Sequence, residues 1–502
     1  MLNTTDPLVL SGPPDSAALR RAATPLTVTV DEAARARLDR GRRLFDGLRH
    51  TGGTARPIYG ATTGFGALVG YAGRPDEADQ CDNTLAHLGA GQGPDLPHEI
   101  CRASLLLRTW SLAQGYSGVS AEVVDRLAAM FATTFSPAVP RYGSVGASGD
   151  LIPLAYATQA LRGRGHAYLD GRRMAADEAL AAAGLLPLAL DGRDALALVN
   201  GTSVTTAALA LARDSVRDAH RSLTALTCLL TDILGCDPGF LDRDLLRAYG
   251  HPGAADTGAR MRRALTGTVP SGTRPLQEPY SIRCSPQLLG AAEDALRYVD
   301  AVVAADLGGV SDNPLFFPDD EEKGKVVHGG NFFGQPAAFA ADLLASVIAQ
   351  LGNLAERQLD LLTDPARNGG LPPMLATAPG LQHGLQGVQL AATAFVAEIR
   401  RNATPAGMQS LPTNLHNQDV VPFGTQAALR SYDMAELLGL LTGSLAVGLR
   451  QAVHVGGRRP TAPRCADLFD ALTEAIPPVE PDRSLDADVR AAARLVAAYE
   501  LP

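Results

Sequence analysis

Ala147-Ser148-Gly149 sits within the stretch Gly143-Ser144-Val145-Gly146-Ala147-Ser148-Gly149-Asp150-Leu151-Ile152-Pro153-Leu154, and this triplet can turn itself into an electrophile. The amide nitrogen of Gly149 attacks the carbonyl carbon of Ala147 and water leaves. Ser148 then loses its β-hydroxyl as a second water, giving a 4-methylidene-imidazole-5-one ring with an exocyclic alkene. The chemistry selects the residues. A β-carbon on the attacking residue obstructs the bend that brings its nitrogen onto a carbonyl two residues back, so glycine suits position 149. Alanine leaves the other side uncrowded, and serine carries a hydroxyl that can depart. Asp150 is expected as a helix N-cap, with Pro153 in the first turn.

Three more motifs carry side chains suited to work beside an electrophile. Tyr59-Gly60-Ala61-Thr62-Thr63-Gly64-Phe65-Gly66 is a glycine-rich loop presenting one phenol. A phenol with an ordinary pKa near ~10 acts as a base at neutral pH only if positive charge or dipoles favour its anion. Asn200 lies in Asn200-Gly201-Thr202. Arg283, in Gln277-Glu278-Pro279-Tyr280-Ser281-Ile282-Arg283, offers a planar fork that can hold a carboxylate in two parallel hydrogen bonds.

The string GSVGASGDLIPLA resembles the signature of the aromatic amino acid ammonia-lyases and aminomutases, the family of the histidine, phenylalanine and tyrosine ammonia-lyases. QEPYSIRCSPQ is similar to that family's QDPYSLRCxPQ, with Glu278 where the family has aspartate. Further similar blocks follow in order: Ser311 to Leu315, His328 to Gln335, AERQLDLLTD, NGGLPPML and Asn414 to Val421. The resemblance implies the self-made ring as the only cofactor, with no metal, nucleotide or pyridoxal phosphate. It implies Tyr59 as the base that removes the substrate's β-proton and Arg283 as the carboxylate anchor, with Asn200 and Tyr280 flanking the ring. Gly66, Gln277, Phe332, Phe333, Asn414 and Asn417 fall in the matching blocks and are expected to contribute to substrate binding. It also implies a homotetramer whose sites each draw on three chains.

Two positions address the substrate. At the pair His87-Leu88, histidine enzymes look like Ser-His, phenylalanine enzymes like Phe-Leu and tyrosine enzymes like His-Leu. An imidazole can hydrogen-bond a phenol, and a site built around such a bond binds phenylalanine less well. Gln418 stands where histidine enzymes place glutamate. Phenylalanine and tyrosine enzymes have glutamine there, so both positions point away from histidine, and His87 points to L-tyrosine as substrate and trans-4-hydroxycinnamate as product. Phe333 departs from the more polar or flexible residue common in relatives and is expected to narrow the pocket or shift the ring. An aminomutase, which re-adds ammonia at the β-carbon, is the nearest rival, followed by a phenylalanine ammonia-lyase. A fumarase-type lyase would need a GSSxMPxKxN loop, which this chain lacks.

Long helices must position these motifs. Helices are expected over Glu99 to Gln114, Ala121 to Phe131, Ser203 to Leu234, Pro286 to Ala305, Pro336 to Leu362 and Thr425 to Val453, after a strand at Leu26 to Val30 and a helix from Asp31 to Leu48. In the Pro336 segment, Leu344, Val347, Ile348, Leu351 and Leu354 recur at helical spacing. The expected fold is mainly α: an elongated bundle of long helices with a smaller mixed N-terminal domain carrying the loops, of the fumarase/aspartase-like architecture. The expected division is 1–195 and 196–502, with GRRPTAP at 457–463 preceding a final helical segment.

Composition sets bounds. With 44 Lys and Arg against 53 Asp and Glu, and no long basic run, the chain does not suit nucleic acid. The six cysteines, at 81, 101, 228, 236, 284 and 465, lack the paired spacing of a metal or redox site. The N-terminus has no charged start followed by an apolar run, and the longest apolar stretch, between Glu436 and Arg450, is too short to cross a bilayer. A cytoplasmic location is expected.

Overall fold

The structure, a computed structural model, describes residues 7–50, 57–319 and 324–500. Residues 1–6, which open the stretch read for a secretory signal, lie outside the described residues. Eight helices position the site and its surroundings: α1 Glu77–His87, α2 Leu151–Leu161, α3 Asp194–Val199, α4 Ser203–Ile233, α5 Tyr280–Arg283, α6 Ser285–Gly308, α7 Gln335–Thr363 and α8 Gly424–His454. The fold is mainly α. All seven expected helices form, with ends shifted by at most three residues; the first three run Glu32–His50, His98–Ala113 and Ala121–Met130.

The chain divides into two compact units, each assembled from three segments. The first comprises Met1–Leu211, Ala301–Ala341 and Pro405–Leu429. Among the described residues it holds every strand. Val28–Thr29, within the expected strand, pairs in parallel with Leu8–Val9. Gln92–Asp95 pairs with Pro140–Tyr142, and Ser136–Pro137, His166–Leu169 and Arg172–Ala175 form a three-stranded antiparallel sheet. Leu315–Phe317 pairs with Lys325–Val327. Phe316 lies fully buried with Leu44, Phe45 and Ile58, its ring edge-on to Phe45 at 5.6 Å. Emptying such a site by Phe→Ala costs about 3–5 kcal/mol.

The second unit comprises Ala212–Asp300, Asp342–Thr404 and Arg430–Pro502. Leu344, Val347, Ile348, Leu351 and Leu354 of α7 are all buried, as their spacing predicts. A helix at Pro252–Ala264 carries no such apolar stripe. It buries Gly253, Ala254, Thr257, Gly258, Met261 and Ala264 instead, and a Cβ built on Gly253 would lie 2.1 Å from the Gly290 carbonyl oxygen of α6. The small residues permit that close approach.

Two stretches, Asp194–Ile233 and Gln335–Thr363, are longer than the 436–450 segment singled out in the sequence, and by length and composition suffice to cross a membrane. Their most apolar windows are 94% and 67% buried inside the protein, which marks them as core helices.

Candidate active site

Backbone geometry explains the glycines of the 143–150 loop. Gly149 has φ +66°, and a β-carbon there would lie 2.5–2.6 Å from the backbone of Gly201. Gly146 has φ +67°, and a β-carbon there would lie 3.0 Å from the Gly424 amide nitrogen. Neither position accepts a larger residue without displacing backbone. Gly149 N–H donates to the Phe332 carbonyl at 2.9 Å, and Asp150 N–H donates to Gly201 at 2.7 Å. Ala147 is buried.

Asp150 stands just before α2, as expected, but its side chain makes no capping bond to that helix. Its backbone (φ −99°, ψ 52°) departs from the extended geometry that a capping residue uses. The fully buried carboxylate instead accepts from Thr205 N–H and Oγ1, both at 2.9 Å, from Thr425 Oγ1 at 2.7 Å and from Ser144 Oγ at 3.0 Å. Thr205 and Thr425 open α4 and α8, so Asp150 serves those two helices rather than its own. Burial pushes its carboxyl above the ordinary range, and the four hydrogen bonds act the other way. Gly334, preceding α7, donates to Gly146 at 3.2 Å. The N-termini of α2, α4, α7 and α8 therefore meet the loop, and their dipoles make its surroundings electropositive.

Ser148 and Gly149 open into a cavity of about 850 Å³ that Tyr59, Phe65, Gly66, His87, Leu88, Asn200, Asn414 and Gln418 also line. Gln418 Nε2 donates to Ser148 Oγ at 2.5 Å. The Tyr59 hydroxyl accepts from Gly66 N–H at 2.8 Å. Burial raises the phenol's pKa above its ordinary value, and the Gly66 bond opposes that rise. His87 ends α1; its Nδ1 lies 3.1 Å from the carbonyl of Asn83, one turn back, so Nδ1 carries the proton and Nε2 is left as an acceptor. Phe65 stacks on the imidazole at 5.2 Å.

Asn200 is buried and donates through Nδ2 to the Asn313 carbonyl at 3.0 Å. Behind it, Arg193 forks onto Asp312 at 2.8 and 2.9 Å, and Arg108 donates to the Ser311 carbonyl at 2.6 Å. These two buried arginines were not foreseen: an isolated arginine in sequence carries no sign of burial. Phe65 and Asn83 were missed too, although Asn83 stands four residues before His87 on one helix face, the spacing of a contact.

A left-handed turn supplies Asn414 and Gln418. Asn414, Leu415 and His416 have φ of 53°, 53° and 61°, and Thr413 and Gln418 exchange backbone hydrogen bonds across the turn at 3.0 and 3.4 Å. Successive L-residues in this conformation cost roughly 1–2 kcal/mol each, so surrounding contacts must hold them. One such contact is Ala67 N–H to Asn414 Oδ1 at 3.4 Å, beside Gly66.

Other nominated residues do not line this cavity. Phe332 contributes its carbonyl to Gly149, Phe333 is half-buried and Asn417 is exposed. The narrowing expected of Phe333 is therefore not a feature of the cavity wall. Gln277, Tyr280 and Arg283 belong to the second unit. There Gln277 is exposed, Tyr280 is 71% exposed, and the Arg283 guanidinium lies 4.7 Å from the Tyr280 ring centroid with its Nε buried and unpartnered.

A family model described as aromatic amino acid lyase matches residues 15–474. The chain belongs to the aromatic amino acid lyase family. This lyase is 40% identical over 464 residues to a tyrosine ammonia-lyase of Cereibacter sphaeroides, covering 88% of each chain. It is 37% identical over 443 residues to a histidine ammonia-lyase of Geobacillus kaustophilus, covering 87% of each. Among solved structures it resembles the tyrosine aminomutase of Streptomyces globisporus, with a TM-score of 0.90 and 31% identity over 98% of this chain and 97% of that one. The lyase is thus a carbon–nitrogen lyase of the helical, fumarase/aspartase-like class, and overall identity does not separate the substrates of its relatives.

Proposed function

We propose that this lyase eliminates ammonia from L-tyrosine to give trans-4-hydroxycinnamate, using a 4-methylidene-imidazole-5-one ring matured from Ala147-Ser148-Gly149. The observation that carries the reading is the shared cavity of Ser148 and His87, whose Nε2 is available to accept a phenol's proton. The loop suits the ring. Its one attacking nitrogen belongs to a glycine at φ +66° packed against Gly201, with no room for a β-carbon, and the serine hydroxyl that must leave faces the cavity. Asn200 and Gln418, which line the same cavity, would hold it; the Gly149 N–H and Ser148 hydroxyl that meet Phe332 and Gln418 in the unreacted loop are consumed as it forms. Once formed, the ring supplies an electrophilic alkene that takes up the substrate's amine and makes it a leaving group.

The chain's own residues do the rest. Tyr59 takes the β-proton onto its hydroxyl oxygen. Its raised pKa makes the anion costly in isolation, and the Gly66 N–H and the helix N-termini offset that cost. His87 accepts from the substrate phenol while Leu88 packs on its ring. Arg283, with its unpartnered Nε, binds the carboxylate; Gln277 and Tyr280 accompany it. These three reach the site from a neighbouring subunit of a homotetramer. The six unpaired cysteines, five of them buried, suit a reducing, cytoplasmic setting.

A tyrosine 2,3-aminomutase is the second reading. The contact of Asn414 with the Tyr59 loop favours it, because a pinned loop retains ammonia longer. The deciding experiment offers tyrosine, phenylalanine and histidine separately, follows arylacrylate absorbance and analyses each mixture by NMR. Hydroxycinnamate from tyrosine alone is expected; β-tyrosine as the main product would overturn the lyase reading.

A further inference from the structure

Gln277, Tyr280 and Arg283 hang on a segment with little regular structure of its own. Residues 265–279 form neither helix nor strand, and α5 is a single turn. Leu276 is fully exposed, and Tyr280 is mostly so. Such a stretch needs anchors to present three side chains in a fixed geometry.

The anchors alternate with the presented residues. Ile282 is fully buried, Gln358 Nε2 donates to the Ser281 carbonyl at 2.9 Å, and Ser285 Oγ donates to the Ile282 carbonyl at 2.7 Å. These hold the C-terminal side of the turn. On the N-terminal side the tether is an ion pair. Arg274 forks onto Glu278, Nε to Oε1 at 2.8 Å and Nη2 to Oε2 at 2.5 Å, and its Nη1 donates to the Arg367 carbonyl at 2.9 Å. The Arg274 side chain is 11% exposed and that of Glu278 is 5% exposed. The Cys236 thiol packs against both, and burial pushes its pKa up. A bidentate pair away from water fixes direction as well as distance. Glu278, a methylene longer than aspartate, lies directly between Gln277 and the α5 turn.

We propose that the Arg274–Glu278 pair is the positioning device that fixes the Gln277–Arg283 segment for binding of the substrate's α-carboxylate. This rests on the role proposed above for Arg283. Glu278 touches no reacting atom; it acts through the backbone it shares with Gln277 and Tyr280. Removing the charge while keeping the shape frees the segment and weakens carboxylate binding in ground and transition states alike.

The test compares Glu278→Gln, Arg274→Gln and the conservative Glu278→Asp in the full-length enzyme. The two glutamine variants are expected to raise KM for the amino acid by ~10-fold with a much smaller change in kcat, and Glu278→Asp to stay near wild type. Amide hydrogen exchange across residues 277–284 is expected to quicken in the glutamine variants, with thermal unfolding recorded to identify any variant that fails to fold. Unchanged KM and unchanged protection in Glu278→Gln would overturn the proposal, as would a Glu278→Asp variant as impaired as Glu278→Gln. Should wild-type protein release ammonia from no aromatic amino acid, the functional reading falls, and protection of 277–284 alone still decides whether the pair is a tether.

Discussion

At the scale of single residues, the site rests on a few atoms whose hydrogen-bonding capacity is already allocated. His87 spends Nδ1 on Asn83, which leaves Nε2 as the acceptor proposed above for the substrate phenol. Replacing it by phenylalanine removes that acceptor and leaves an apolar wall. His87→Phe is expected to shift the ratio of kcat/KM for tyrosine over phenylalanine by roughly 100-fold towards phenylalanine, measured on the two amino acids side by side. Ser148→Ala lacks the hydroxyl that must leave. Intact-protein mass spectrometry should find wild type two waters lighter than its sequence mass and the variant not so, with turnover lost and circular dichroism unchanged. A wild-type mass equal to that of the unreacted chain would overturn the ring. These chemical assignments were legible in sequence because they depend on residue types within short motifs. The support beneath them was not: Asp312 lies against Asn200 and is held in turn by Arg193 and Arg108, and only folding brings Arg108 and Asp312 to the Arg193–Asn200 stretch.

At the scale of elements, helix N-termini converge on one buried carboxylate. Asp150 serves α4 and α8 through Thr205 and Thr425, where local sequence suggested that it would serve α2. Local capping rules describe neighbours in sequence, whereas this carboxylate answers donors 55 and 275 residues away. Asp150→Ala strands those donors in a dry interior. A loss of roughly 3 kcal/mol or more is expected in denaturant unfolding, with Asp150→Asn losing less because one acceptor oxygen survives. The long helices were legible from their apolar periodicity. Pro252–Ala264 was not, since apart from Met261 its buried stripe is made of glycine, alanine and threonine, which periodicity of large apolar residues does not detect. Nor does sequence mark most passages between the two units: four of the five fall inside α4, α6, α7 and α8, and only the one at Thr404–Pro405 falls in a loop.

At the scale of the whole molecule, stability should carry a signature of Asp306. Burial raises its carboxyl to about 6, and a single hydrogen bond from Thr206 offsets little of that. A carboxyl that binds its proton more tightly folded than unfolded favours the folded state at low pH. That advantage is lost as pH rises from the unfolded value near ~4 towards the folded one, by up to about 3 kcal/mol. Asp306→Asn is expected to gain stability relative to wild type on going from pH 4.5 to 7.5, read as the difference in Tm at each pH; parallel curves would remove Asp306 from the account. The contact between Gln418 and Ser148 has another consequence. While the serine keeps its hydroxyl, the Gln418 amide is engaged with the chain itself, so the maturation proposed above would start from a latent enzyme and release that recognition group as the hydroxyl leaves. Activity after refolding should then rise with a lag that belongs to the chain, unaffected by added metal or small molecules: a catalyst that carries its own timer and draws on no external supply.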